Sequence, residues 1–209
     1  MPDVRDARDK LLTEMFLQYW KYPVKPTFRD DQDQDLADNS VEALVLSMYA
    51  DIKNQGLMAY PWRSAQKYVY LDNPTVNTGA DQKFKYTFTL PDDFLTANGF
   101  WHDQKRTQPM QNEVDIVGKI AKTNKSAFLL QYTATMDEEE ENLDPWVIDW
   151  LELYIAATLA DVGGCDPNTK NYLIQKVQYD EPTLKNKDFE MSHHDETLGN
   201  EDQFLTDWY

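Results

Sequence analysis

At 209 residues the chain is long enough for one domain, or a domain with an insertion, built around a substantial core. Its 37 Asp and Glu outnumber 20 Lys and Arg, and the formal net charge of −17 excludes broad electrostatic attraction to nucleic acid or an anionic membrane surface. Hydrophobic residues at 41% and aromatics at 13% exclude wholesale disorder despite a mean hydropathy of −0.70, and a single cysteine, Cys165, excludes an internal disulfide and reads as inert filler.

The start, Met1-Pro2-Asp3-Val4-Arg5-Asp6, is charged and has no signal-peptide pattern. No stretch approaches the roughly 18–20 apolar residues of a spanning helix, so no membrane is expected. Val4, Ala7, Leu11, Leu12, Met15, Phe16 and Tyr19 recur at spacings of three and four, which predicts a helix running to about Tyr22, where Pro23 stops it. The stretch from Pro23 to Asp35, ending in the run Asp30-Asp31-Gln32-Asp33-Gln34-Asp35, reads as a solvated acidic linker. A second helix follows, with Asn39 as its cap, Glu42 as the reciprocal partner, and an apolar stripe from Val41 through Ile52 before Gly56.

After Tyr60-Pro61-Trp62 the period becomes two. Phe84, Tyr86, Phe88 and Leu90 alternate with Lys83, Lys85, Thr87 and Thr89, a strand with one apolar face, and Tyr68-Val69-Tyr70 is its expected partner. Val114 to Val117, Ile120 to Lys122 and Ala127 to Ala134 read as further strands, and Pro91-Asp92-Asp93-Phe94-Leu95 as a capped turn. Helical spacing returns after Asp144, an expected cap, with Pro145 in the first turn and an apolar band from Trp146 to Leu159. Asp166-Pro167 repeats that start for about three turns, and the sequence beyond Asp180, with Pro182, Asn186 and Gly199, reads as an extended tail.

The expected fold is therefore α+β: mainly a helical bundle with an inserted antiparallel β-sheet and an extended C-terminal tail. Residues 1–180 form one domain, with helices in 1–62 and 140–180 and the β-rich insert in 63–136; residues 181–209 form the tail. Charge follows this division. Asp137 to Asp161 has a net charge of −9, Asp180 to Tyr209 of −7, and Arg63 to Lys125 of +2.

Candidate chemistry is sparse. The run Asp137 to Glu141 offers oxygen ligands for a hard cation, but it lacks the spaced ligands and turn glycine of a calcium loop and reads as a solvated acidic face. Asp92 and Asp93 could be an acid–base pair, against the plainer reading as a capped turn. His193-His194 has no second ligand cluster at fixed spacing, and His102 has no nucleophile context; no phosphate loop or nucleophile elbow is present. The expectation is no catalytic residue, no cofactor and no metal. Trp62, Trp146 and Trp150 sit where helix packing would bury them. Phe204, Leu205, Trp208 and Tyr209 end an acidic tail with an aromatic cluster, either a disordered terminus or an anchor for a partner.

The order of motifs resembles the tail tubular protein A family, the head-to-tail adaptors of short-tailed bacteriophages. The resemblance is carried by Ala59-Tyr60-Pro61-Trp62-Arg63-Ser64-Ala65, by Leu90-Pro91-Asp92-Asp93-Phe94-Leu95, by Val114 to Ile120, by Phe128 to Ala134, and by Leu143-Asp144-Pro145-Trp146 with Ala156 to Ala160. It covers about Val41 to Gly163; the acidic linker, the stretch from Gly99 to Gln111 and the tail depart from the family's pattern.

The resemblance implies a structural virion protein and not an enzyme. It implies a homo-oligomeric ring, usually of twelve copies, between the portal protein and the tail nozzle (a tail tubular protein B-like partner) with tail fibres nearby. Such a protein is assembled in the host cytoplasm and resides in the virion neck. Double-stranded DNA passes through the ring without specific binding, and since carboxylates repel phosphates, part of the acidity of Asp137 to Asp161, with Glu138, Glu139, Glu140 and Glu141 as candidates, or of Asp30 to Asp38, is expected to face the lumen. Phe204, Leu205, Trp208 and Tyr209 are the corresponding portal-contact candidates. Competing expectations are a neck or head-completion protein of a long-tailed phage, an acidic DNA mimic, and a metal-dependent enzyme.

Overall fold

The computed structural model describes the backbone of residues 4–21, 40–78, 83–137 and 140–206, and the side chains among these except for 4–7, 140 and 192–206. It is an α+β fold with four described helices and two antiparallel sheets. Two compact units emerge: a helical unit, Met1–Ser64 with Glu138–Tyr209, and a β unit, Ala65–Asp137. No described helix is long and apolar enough to cross a membrane.

In the helical unit, α1 (Val4–Gln18) and α2 (Val41–Met58) precede a short 3-10 turn at Arg63–Ala65. After the second 3-10 turn, Glu140–Asn142, come α3 (Pro145–Thr158) and α4 (Pro167–Thr206). α3 is the central helix: α1, α2 and α4 all pack on it. This follows from its composition, because an apolar band on most sides cannot be satisfied by one neighbour. Val147, Leu151, Ile155 and Ala156 are fully buried, as are Leu12, Met15 and Phe16 from α1 and Val45 and Leu57 from α2.

The caps sharpen two expectations. Asn39 lies outside the described residues, and the cap of α2 is Ser40, whose Oγ accepts from Ala43 N at 3.1 Å. Asp144 occupies the N-cap position of α3 with Pro145 next to it, yet its carboxylate makes no cap bond because it is turned toward Arg63. Asp166, by contrast, caps α4 in full: Oδ1 accepts from Asn168 N and Thr169 N, and the Thr169 hydroxyl meets Oδ2 at 2.6 Å.

The expected extended tail is a correction. α4 continues through Pro182 to Thr206, so residues 181–206 are helical. Proline costs the bond to the carbonyl four residues back, here Gln178, but Gln178 is exposed and water can replace it. The ion pairs Lys176–Asp180 and Glu181–Lys185 bracket the proline, and Asp188 is docked on the far side.

The β unit holds two sheets where one was expected. The first has the order β1-β7-β4, with β1 (Gln66–Leu71), β4 (Phe94–Trp101) and β7 (Phe128–Ala134). The second has the order β2-β3-β6-β5, with β2 (Thr75–Val76), β3 (Tyr86–Thr89), β5 (Val114–Val117) and β6 (Ile120–Thr123). Tyr68-Val69-Tyr70 does not pair with β3; it pairs with Leu129 to Gln131 of β7. The reason is β7, which is buried along nearly its whole length, including Leu129 and Thr133 on its second face, so it takes the centre of its sheet with a neighbour on each side.

Where the sequence predicts only a capped turn at Pro91 to Leu95, β4 starts at Phe94 and runs to Trp101. Register shifts between Phe94 and Thr96 and between Ala97 and Gly99 destroy the two-residue period that would have announced it. Gly99 is required there, since a Cβ would sit 2.3 Å from the Trp101 ring.

Candidate functional site

Two of the motif segments that carry the resemblance, Ala59–Ala65 and Leu143–Trp146, meet in the helical unit. Arg63, at the end of the Tyr60-Pro61-Trp62 turn, places its Nη2 3.3 Å from both carboxylate oxygens of Asp144. The Asp144 amide donates to Ser64 Oγ at 3.0 Å, which fixes the entry of α3 to the same turn. α4 closes the junction from its distal half. Asp188, 2% exposed, accepts the Arg63 amide at 3.1 Å and Trp146 Nε1 at 3.4 Å. Tyr60 donates its hydroxyl to the Lys185 carbonyl at 3.3 Å, while the Lys185 ammonium lies over the Tyr60 ring and that of Lys187 over Trp146.

Burial raises the Asp188 pKa above the ordinary carboxylate range; the bonds from Arg63 N and Trp146 pull it back only in part, and Asp144 adds to the rise. The Tyr60 phenol is also pushed up, by burial and by Asp188. Beside this junction runs a row of rings: Tyr60 to Trp62 at 4.8 Å, Trp62 to Trp150 at 5.1 Å and Trp150 to Tyr154 at 4.9 Å. What such a junction does is mechanical. It ties the segment entering the β unit, the start of α3 and the distal part of α4 into one body.

A second cluster lies where α1, α3 and α4 face a cleft of about 510 Å³, lined among others by Gln18, Tyr19, Asp149, Glu152, Lys176 and Asp180. Glu152, 4% exposed, has its pKa pushed up to about 8 by burial, by Glu14, which also shares a hydrogen bond with it, and by Asp149; Lys10 opposes the rise. Burial and the surrounding acids, Glu152 first, push Tyr19 to about 12, so its hydroxyl stays protonated. Burial and like charge thus favour the protonated form of Glu152 well beyond the ordinary carboxylate range.

Linkage fixes the sign of the consequence. An unfolded glutamate loses its proton near about pH 4.3, whereas folded Glu152 keeps it to about pH 8, so stability falls as pH rises through that window. Glu152→Gln is expected to gain about 2 kcal/mol over the parent at pH 8, after allowance for partial solvent screening, and little at pH 4. Thermal unfolding of both chains at pH 4, 6 and 8 measures this; a difference independent of pH would contradict it.

The residues singled out in the sequence fall as follows. Glu138 and Glu139 lie outside the described residues; Glu140 and Glu141 open a 3-10 turn, with the Glu140 side chain outside the description and Glu141 exposed. Phe204 and Leu205 lie on α4 with their side chains outside the described residues, and Trp208 and Tyr209 lie outside them altogether. His193 and His194 are likewise on α4 without described side chains.

Asp93 is held structurally, 3.0 Å from both Lys67 Nζ and the Tyr132 hydroxyl, while Asp92 is exposed and its carbonyl accepts from Lys119. His102 sits 3.3 Å from Glu113, which also pairs with Lys125. The Cys165 thiol is pushed up by burial and by Asp166 and Asp161, away from its nucleophilic form. Among the described residues no group of three or more His, Cys, Asp or Glu is arranged to hold a metal ion.

Sequence reasoning missed Asp188 and Glu152. Each had a signal: Leu173, Val177, Leu184 and Asp188 keep helical spacing across Pro182, and Glu152 interrupts the broad apolar band of α3. A polar residue on an apolar stripe marks a buried acceptor or a shared proton. No family model matches this chain, and none of the curated proteins matches it.

Proposed function

We propose that this chain is a structural adaptor of a short-tailed bacteriophage virion, a ring of copies, twelve in the reading preferred here, joining the portal protein to the tail nozzle and surrounding the path of the DNA. It performs no reaction in this reading. The observation that carries it is the junction just described: Arg63 and Ser64 from one motif are bonded directly to Asp144 of the other, 81 residues from Arg63, while Tyr60 and Trp146 join the same junction through Lys185 and Asp188 of α4. An arrangement that ties helices distant in sequence together by side-chain bonds suits a load-bearing connector. The acidic run Glu138 to Glu141 is placed at the lumen in this reading, where it would repel phosphates during passage. The portal contact is assigned to Phe204, Leu205, Trp208 and Tyr209.

The test is electron microscopy of negatively stained protein mixed with the portal protein encoded in the same genome. Rings capping the portal are expected; a portal that stays bare at micromolar concentrations of both would overturn the proposal. The terminal anchor is tested separately by a chain ending at Met191, which removes the aromatic cluster and spares Asp188. Cutting at Asp180 would remove Asp188 and break the fold junction as well. Loss of capping by the shortened chain is expected, and undiminished capping would reassign the contact.

A further inference from the structure

α4 reverses the usual placement of charge on a solvent-facing helix. Between Asn171 and Asn186 every exposed residue is uncharged. The charged residues of the same stretch, Lys176, Asp180, Glu181 and Lys185, are half-buried on the flanks and engaged with one another as i,i+4 pairs. In a chain of net charge −17, an exposed helical surface with no charge from Asn171 to Asn186, bounded by the exposed Lys187 and Glu190 next to Phe189, is the reverse of what solvation alone favours. That face also carries large aromatic surface, since Tyr179 is 81% exposed, Tyr172 60% and Phe189 56%.

Among the exposed positions, Tyr172, Gln175, Tyr179, Pro182, Asn186 and Phe189 advance by three, four, three, four and three residues. This is the spacing of a helix–helix seam, so the surface that fits it is another helix. The stripe is also its own complement when reversed. About a midpoint between Asp180 and Glu181, Tyr172 comes opposite Phe189, Gln175 opposite Asn186, and Tyr179 opposite Pro182. Ring then meets ring, amide meets amide, and a phenol face meets proline.

Charge selects the same occupant. Two bodies of −17 repel, and they can approach most closely where neither presents a charge. A basic partner would instead be drawn to the acidic surface elsewhere. The geometry points to a second copy of this chain, docked through the same face of α4 in an antiparallel two-fold pair.

A two-fold contact closes on itself and does not propagate around a ring. It is therefore a state of the free chain, and it stands or falls independently of the adaptor reading. Its aromatic stripe would be covered while the chain is free and uncovered when the pair separates.

Sedimentation velocity of the full chain over a concentration series tests this. A monomer–dimer equilibrium that tightens between 0.05 and 0.5 M salt, by screening of like charge, is expected from a Debye length that falls from about 14 to about 4 Å. Tyr179→Glu, at a position too exposed to disturb the core, should weaken dimerisation at least tenfold with an unchanged circular dichroism spectrum. Register is read by oxidative cross-linking in a Cys165→Ser background. A mixture of chains carrying Q175C and N186C should give the mixed disulfide ahead of either symmetric one. A chain that remains monomeric at all concentrations, a larger assembly insensitive to Tyr179→Glu, or symmetric disulfides formed as readily as the mixed one would each overturn the proposal.

Discussion

Replacing Trp62 with alanine is expected to lower the stability of the helical unit by about 3–5 kcal/mol, the largest effect of any single truncation in the chain. Trp62 has no exposed surface, and its ring lies between Tyr60 and Trp150 in a row that continues to Tyr154. Truncation removes the second ring of that row, leaving Tyr60 without its ring neighbour and Trp150 with Tyr154 alone, so the loss combines transfer free energy with a cavity that flanking helices cannot close. Trp62→Phe retains a ring and should cost about 1–2 kcal/mol. Urea unfolding followed by far-ultraviolet circular dichroism is the suitable measurement, because six tryptophans blur fluorescence and the helices dominate the dichroic signal. A loss below about 1 kcal/mol for Trp62→Ala would show that the row is not a core element.

Asp188→Ala is expected to cost about 2–3 kcal/mol, while Asp188→Asn should cost less than about 1 kcal/mol. The contrast follows from the direction of the pKa shift. Burial raises Asp188 despite its two donors, so the fold requires an acceptor at this position more than it requires a charge. Asparagine keeps an acceptor for the Arg63 amide and Trp146 Nε1. Alanine leaves both donors buried and unpaired and frees the distal half of α4 from the Tyr60–Arg63 turn. Equal losses for the two variants would contradict this account and assign the stabilisation to charge.

Much of this architecture could be read before the structure, and the misses have physical causes. The apolar stripe from Val41 to Ile52, and Asp144-Pro145 followed by an apolar band, announce α2 and α3, because local periodicity and packing agree there. The strands at Tyr86–Thr89, Val114–Val117, Ile120–Thr123 and Phe128–Ala134 announce themselves by apolar patterning between turn residues. β4 is hidden by two bulges, whose extra residues erase alternation. The division into two sheets is hidden because strand partners depend on long-range contacts that no local pattern encodes.

The length of α4 is hidden by Pro182, whose local penalty is overridden by a tertiary bond six residues later. At the junction, Arg63 and Asp144 were visible as parts of motifs, but their contact was not, and Asp188 was lost with the helix that carries it. Glu152 was visible only as an interruption, since a shared proton leaves no mark in sequence beyond a carboxylate where a leucine is expected.

The central claim is that α4 is folded through Pro182 and closes on the two motif segments. Native-state hydrogen exchange across Thr183 to Asp188 tests it most directly. The account predicts amides protected to a degree approaching those of Leu151 to Ile155 in α3, with protection lost in Asp188→Ala and retained in Asp188→Asn. Exchange over Thr183 to Asp188 at the rate of an open chain would contradict it.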